Sequence, residues 1–166
     1  MSRREARQQA FEILFEQSFG GGDVESIIAA AGDARDIKVA KYAKKTASGV
    51  LSHIEEIDGY IASYSRARSF RRLSKVVLAA LRLAIYEILY VDDLDPKISI
   101  NEAVELAKTF SGQDEAGFVN GVLGGFMKAY TAGEIKAGET VKKESAESEQ
   151  PTEDTPAETS AEETAQ

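Results

Sequence analysis

"LSKVVLAALRLAIYEILY" (residues 73–90) is apolar on nearly every side of a helical projection, interrupted by Arg82 and Glu87. A helix apolar all round lies in the middle of a protein, because every face must be covered. The stretch is shorter than the roughly 20 apolar residues of a membrane span, and it carries two charges. It therefore predicts a central helix on which the rest of the chain packs. Arg82 and Glu87 are expected to be satisfied structurally, within their surroundings or by a neighbouring helix.

Helical patterns continue on both sides. "VDDLDPK" (91–97) ends the central helix, because Pro96 cannot sit in a helix interior and biases Asp95 away from helix. "SINEAVELAKTF" (99–110) then reads as a helix with a capping box, Ser99 at the N-cap and Glu102 three residues later. Asn101 and Glu102 accordingly read as helix-start residues. "SGQDEAG" (111–117) is a break with Asp114 as the next N-cap, and "FVNGVLGGFMKAY" (118–130) is the last helix. Its Gly121, Gly124 and Gly125 each cost roughly 0.8–1 kcal/mol of helix propensity against Ala, which points to close approach of another backbone or a ligand.

Towards the N-terminus, "IEEIDGYIASYS" (54–65) and "IKVAKYAKKTASGVLSH" (37–53) read as two helices with a bend near Ser52–His53, the second starting from Asp33 or Asp36. Asp23 can cap a short helix to about Ala31. The first helix runs from Arg3 to Ser18 and is stopped by "FGGGD" (19–23). The expectation is a single all-α domain of about seven helices.

The chain has 166 residues, 43% hydrophobic and 29% charged, which suits one domain with a proper core. It has no cysteine, so neither a disulfide framework nor a thiolate metal site is possible. No secretory signal or membrane span is evident, and a cytoplasmic protein is expected. Net charge is -8, but it is unevenly spread: residues 134–166 hold ten acidic and three basic residues. The stretch "GETVKKESAESEQPTEDTPAETSAEETAQ" (138–166) has one Val and no Leu, Ile or aromatic residue. It cannot bury enough apolar surface to offset its ordering entropy. The expected division is a folded domain over 1–132 and a disordered acidic tail over 133–166. The tail reads either as a solubilising segment or as one that competes with RNA for a basic patch.

Such a patch is suggested by Arg3, Arg4 and Arg7 in "SRREARQQAFEILF" (2–15). Ser2 and Glu5 form an S-x-x-E capping box, so the helix should start at Arg3. Cations at a helix N-terminus are unfavourable, and the three fall within one 100° arc. With the free amides of the first turn they would make a local anion site. Two readings stand: a basic end that is salt-bridged or solvated, and a phosphate contact with nucleic acid.

Catalytic and metal chemistry find no support. His53 is the only histidine, so no histidine cluster can bind zinc or run a triad. "DDLD" (92–95) lacks the spacing of a calcium loop, and "GGGD" (20–23) is followed by no G-K-[ST]. No enzyme activity, cofactor or metal is expected.

"SRREARQQAFEILF", "RRLSKVVLAALRLAIYEILY", "ISINEAVELAKTF" and "GFVNGVLGGF" together resemble, in order and spacing over residues 2–130, the transcription antitermination factor NusB family. The resemblance implies a fold of about seven helices and a non-enzymatic RNA binder. It implies a partnership with the small-subunit ribosomal protein that acts as NusE. It also implies binding of the single-stranded boxA element of nascent ribosomal RNA, in concert with other Nus factors and RNA polymerase, so that premature termination is suppressed. The family's basic N-terminal motif falls on Arg3, Arg4 and Arg7, which would grip phosphates, and Lys108 is a weaker candidate. Phe118 and Asn120 fall in its F-V-N-G motif, where a ring could stack a base and an amide could read its edge; core packing is the competing explanation. Asp114 matches an acidic position of the ribosomal-protein contact surface. Glu5 departs from the most basic versions of the motif, Phe70 stands where many relatives have Trp, and Gly124 replaces a common Asp. A helical protein–protein adaptor or homodimer with incidental RNA contact is the alternative. Domains of this kind also precede RNA methyltransferases, but here only the acidic tail follows.

Overall fold

The Ser2–Glu5 box forms as the spacing predicts: the Glu5 amide donates to Ser2 Oγ and the Ser2 amide to Glu5 Oε1, both at 3.1 Å. It opens α1 (Arg3–Gln17), which the glycine run ends, with Gly21 and Gly22 at φ 97° and 79°. These values lie in the left-handed region, which suits glycine and stops a helix. The computed structural model describes residues 1–35 and 39–138, with the backbone alone for 31–35. Asp23 caps α2 (Val24–Arg35), its Oδ1 accepting from the Ser26 amide at 2.8 Å. This helix is longer than expected and includes Asp33, which therefore does not open the next one; Asp36 lies outside the described residues.

The chain continues through α3 (Lys41–Ser52) and α4 (Ile54–Tyr64), joined by His53 alone at the expected bend. A 3₁₀ turn (Phe70–Arg72) precedes α5 (Lys75–Tyr90), followed by α6 (Pro96–Ser111) and α7 (Gln113–Thr131). Among the described residues there are seven α-helices and no strand. Helix α5 is the axis of the fold, in contact with α1, α3, α4, α6 and α7. Its Val77, Ala80, Leu81 and Ile85 are wholly buried. Around it, α1 pairs with α2 and α3 on one side, and α4 and α6 pair with α7 on the other.

The two charges of α5 tie these sides to the axis. Arg82 makes a two-pronged ion pair with Asp58 of α4, at 2.8 and 2.9 Å. Glu87 is fully buried; it accepts from Arg7 of α1 and from the Tyr42 hydroxyl of α3 at 2.6 Å. Burial, and then the Glu87 charge, drive the Tyr42 hydroxyl's pKa well up.

Three local expectations are corrected. Helix α6 begins one turn earlier than the Ser99 box implied: Asp95 is the N-cap, accepting from the Lys97 amide at 2.9 Å, and Pro96 is the first helical residue. Proline costs nothing there because its missing N–H would have been unpaired. Ser99 is instead 1% exposed inside the helix, and its hydroxyl has no hydrogen-bond partner. Asp114 is not a cap either. Gly112, at φ 110°, alone separates α6 from α7, so Asp114 lies in the first turn of α7, where its charge suits the helix dipole. Finally, the folded domain does not stop at 132. Ile135 is 6% exposed, and the Gly138 amide donates to the buried Glu56 at 3.0 Å. Burial of Ile135 draws residues 133–138 onto the domain; the rest of the acidic tail lies outside the described residues.

Candidate nucleic-acid interface

The three N-terminal arginines share an arc of α1 but not an environment. Arg7 stands three, four and seven residues before Ala10, Phe11 and Leu14, so it sits on the buried stripe of the helix. Its side chain is 3% exposed, with Nε 2.9 and 3.1 Å from the Glu87 carboxylate oxygens. It lines the floor of the hollow beside Arg4 and Glu102, but its guanidinium is nearly buried and held by Glu87, which gives Arg7 a structural role in place of the expected open phosphate grip. Arg4 is exposed, but its Nε and Nη2 hold the Glu102 carboxylate at 3.0 and 2.7 Å, which raises the Arg4 pKa. Glu102, expected at a helix start, thus serves to tie α6 to α1. Arg3 lies over the Tyr42 ring at 4.3 Å from its centroid, with Asp93 at 3.9 Å. Arg3 and Arg4 therefore remain at the surface, each with a partner that an incoming phosphate must share or displace.

Lys108 is exposed in the last turn of α6, where a cation also suits the helix dipole. Asn120 and Asp114 are exposed on α7, so Asn120 is not a packing residue. Phe118 is half-buried: the Arg68 guanidinium covers one face at 4.2 Å while Arg68 Nη1 donates to Glu115 at 2.6 Å. The ring lines an open groove of about 840 Å³ between the end of α4 and α7, together with Tyr64, Arg66, Gly121, Gly125 and Lys128. The smaller hollow beside Arg4 and Glu102 shares no residue with this groove. The structure thus does not gather Arg3 and Arg4 with Phe118 into one pocket.

No second backbone approaches Gly121, Gly124 or Gly125 of α7 among the described residues. A Cβ at Gly121 or Gly124 would meet nothing within 4 Å, and at Gly125 it would meet Tyr64 at 3.4 Å. Gly121 and Gly125 keep the groove floor open instead.

Sequence reasoning assigns no role to the arginines of "SRARSFRR" (65–72), four with no acid in eight residues. This density in a connection was the available signal. Arg66, Arg71 and Arg72 are exposed and form no ion pair among the described residues, as is true of Lys128. Arg66 and Lys128 line the aromatic groove, and Arg72 lines a neighbouring hollow with Ala67, Arg68 and Ser69. No group of three or more acidic or histidine side chains that could hold a metal occurs among the described residues. Nor is any described helix long and apolar enough to cross a membrane.

These features define an all-α domain built around one buried helix, with arginine-rich surfaces. Comparison with known proteins makes the class specific. Residues 4–128 match the NusB family, and the chain belongs to it. It is 38% identical over 138 residues to the transcription antitermination protein NusB of Symbiobacterium thermophilum, covering 77% of this chain and 90% of that one. Against the NusB of Rubrobacter xylanophilus it is 42% identical over 129 residues, covering 75% and 89%. Among solved structures it is similar to a complex of antitermination factors NusB and NusE with double-stranded RNA, at TM-score 0.69 and 32% identity, covering 77% of this chain and 97% of that one. The solution structure of NusB from Aquifex aeolicus gives TM-score 0.68 and 30% identity, covering 84% and 97%. The family is one of antitermination proteins, not enzymes.

Proposed function

We propose that this chain is a transcription antitermination factor that holds the boxA element of nascent ribosomal RNA jointly with the small-subunit ribosomal protein in the NusE role. In that assembly, with other Nus factors and RNA polymerase, it suppresses premature termination in the cytoplasm. The observation that carries the reading is the pairing of free cations with an exposed aromatic groove, in a chain similar to the NusB of a solved NusB–NusE–RNA complex.

Phosphates supply salt-dependent affinity and bases supply specificity. Arg3, Arg4, Arg66, Arg71 and Arg72 present guanidiniums to the RNA backbone, with Lys108 a weaker contact. Phe118, held flat by Arg68, offers its remaining surface for stacking, and Asn120 offers an amide to a base edge. Arg7 acts indirectly, by fixing the N-terminal turn of α1 against α5. Asp114, exposed at the start of α7, is the proposed contact to the ribosomal protein.

The test is fluorescence anisotropy of a labelled boxA-like single-stranded RNA, with and without the ribosomal partner, at two salt concentrations. Salt-sensitive binding tightened by the partner is expected; no binding in either case would overturn the reading. A homodimer that covers the N-terminal face is favoured by Phe110, 45% exposed beside Arg4 in the smaller hollow. A solution mass that stays dimeric in the presence of RNA and partner would support that alternative.

A further inference from the structure

We infer that the acidic C-terminal segment of this chain, residues 144–166, docks on the arginine rim of the α4–α7 groove and competes there with polyanions. Three independent observations meet at this surface. First, Arg66 and Lys128, which line the groove, and Arg71 and Arg72, which follow Arg66 in the α4–α5 connection, are exposed and have no carboxylate partner among the described residues, whereas the exposed Arg4 has one. Second, residues 144–166 carry eight acidic and no basic side chains, and nothing apolar enough to seek a core. Third, the chain passes the groove on its way out of the domain. The Glu134 amide donates to the Ala129 carbonyl at 2.9 Å, turning the backbone at the end of α7, and Ala132 and Glu134 line the groove. Ile135 then anchors in the core and the Gly138 amide fastens to Glu56 of α4. The segment thus leaves the domain near Glu56, eight residues along α4 from Tyr64 at the groove, roughly 12 Å at 1.5 Å per residue.

The length fits. A tether of 28 residues, the number after Gly138, spans about 30 Å root-mean-square by random-coil scaling. A tether of this length holds the acidic segment at an effective concentration on the order of 1 mM, so a weak ionic contact is populated without a high intrinsic affinity. The four cations are exposed, so the contact is screened once the Debye length shrinks to about 3 Å near 1 M salt. The docking does not depend on the proposed RNA role; only the competition with RNA rests on that reading.

The chain has no cysteine, so Thr159→Cys in the full-length protein accepts a single nitroxide label. Backbone amides of Arg66–Arg72 and Gly121–Lys128 are expected to lose about half their NMR intensity or more at low salt and to recover it at about 1 M. Changing the eight acids of 144–166 to Gln or Asn in the same labelled chain should abolish the effect. Uniform broadening, none at all, or broadening centred on Arg3 and Arg4 would overturn the inference. Adding a boxA-like RNA should displace the label from the groove. The acid-neutralised chain should bind that RNA several-fold more tightly at low salt. If the label marks the groove but RNA binds neither chain, the docking stands and the RNA reading fails.

Discussion

Arginines appear in two groups, at the start of α1 and in the connection between α4 and α5, and the fold treats them in opposite ways. Arg7 is buried against Glu87 and Arg4 is clasped by Glu102, while Arg66, Arg71 and Arg72 face solvent with no carboxylate partner among the described residues. The cause is position, not residue type. Arg7 lies on a helix face that must enter the core, and burying a charge is tolerable only with a well-placed counter-charge. The connection has no such face, so three of its four guanidiniums stay in water, and only Arg68 is half-buried, paired with Glu115 over the Phe118 ring. Available charge is therefore poorly measured by counting residues: the group that stands out in the sequence is largely committed to holding the protein together.

The sharpest way to break this contrast is Glu87→Ala. It strands Arg7 and leaves the Tyr42 hydroxyl without its acceptor, and should cost about 3–5 kcal/mol in urea unfolding. The paired change Arg7→Met with Glu87→Leu should recover most of that loss. A stable Glu87→Ala protein would mean that Arg7 is not committed after all. Next in size, replacing Arg66, Arg71 and Arg72 together by Ala should lower RNA affinity more than tenfold at low salt. It should also flatten the log–log salt slope by about 2, at roughly 0.7 per phosphate contact on a single strand. Its melting temperature should match the parent's.

Phe118→Ala sharpens the contrast from the aromatic side. Loss of one stacked base is worth about 1–3 kcal/mol, read by anisotropy. A lowered melting temperature with unchanged RNA affinity would reduce Phe118 to packing. Smallest is a comparison of caps: Asp95→Ala should cost about 0.5–2 kcal/mol, the worth of a lost N-cap. Ser99→Ala should cost almost nothing, because its buried hydroxyl has no partner to lose. The reverse ranking would restore the Ser99 box.

Much of the architecture was legible because it is local. An all-round apolar stretch can only be an axis, the Ser2–Glu5 box needs only its own four residues, and three glycines stop a helix whatever surrounds them. The error at α6 was also local: Asp95–Pro96 offers an N-cap followed by a proline at the first position, and it outcompeted the box one turn later. The candidate site was less legible. Phe118 and Asn120 follow from the family resemblance, but the groove that Phe118 lines arises from the end of α4, over fifty residues away in sequence. The burial of Arg7 was readable in part, since a lone cation on one apolar stripe and a lone carboxylate on an all-apolar helix invite each other.

By itself, then, the sequence determined the helices, the central place of α5, the acidic character of the C-terminal segment and membership of a recognisable family. Periodicity, capping and composition act over a few residues and need no partner. Only the tertiary structure decided which arginines are free, that Ile135 and Gly138 bind the chain back to α4, and that Tyr64, Arg66 and Phe118 share one groove. Those outcomes depend on which faces meet, and a charge acquires or loses its function according to what lies across from it.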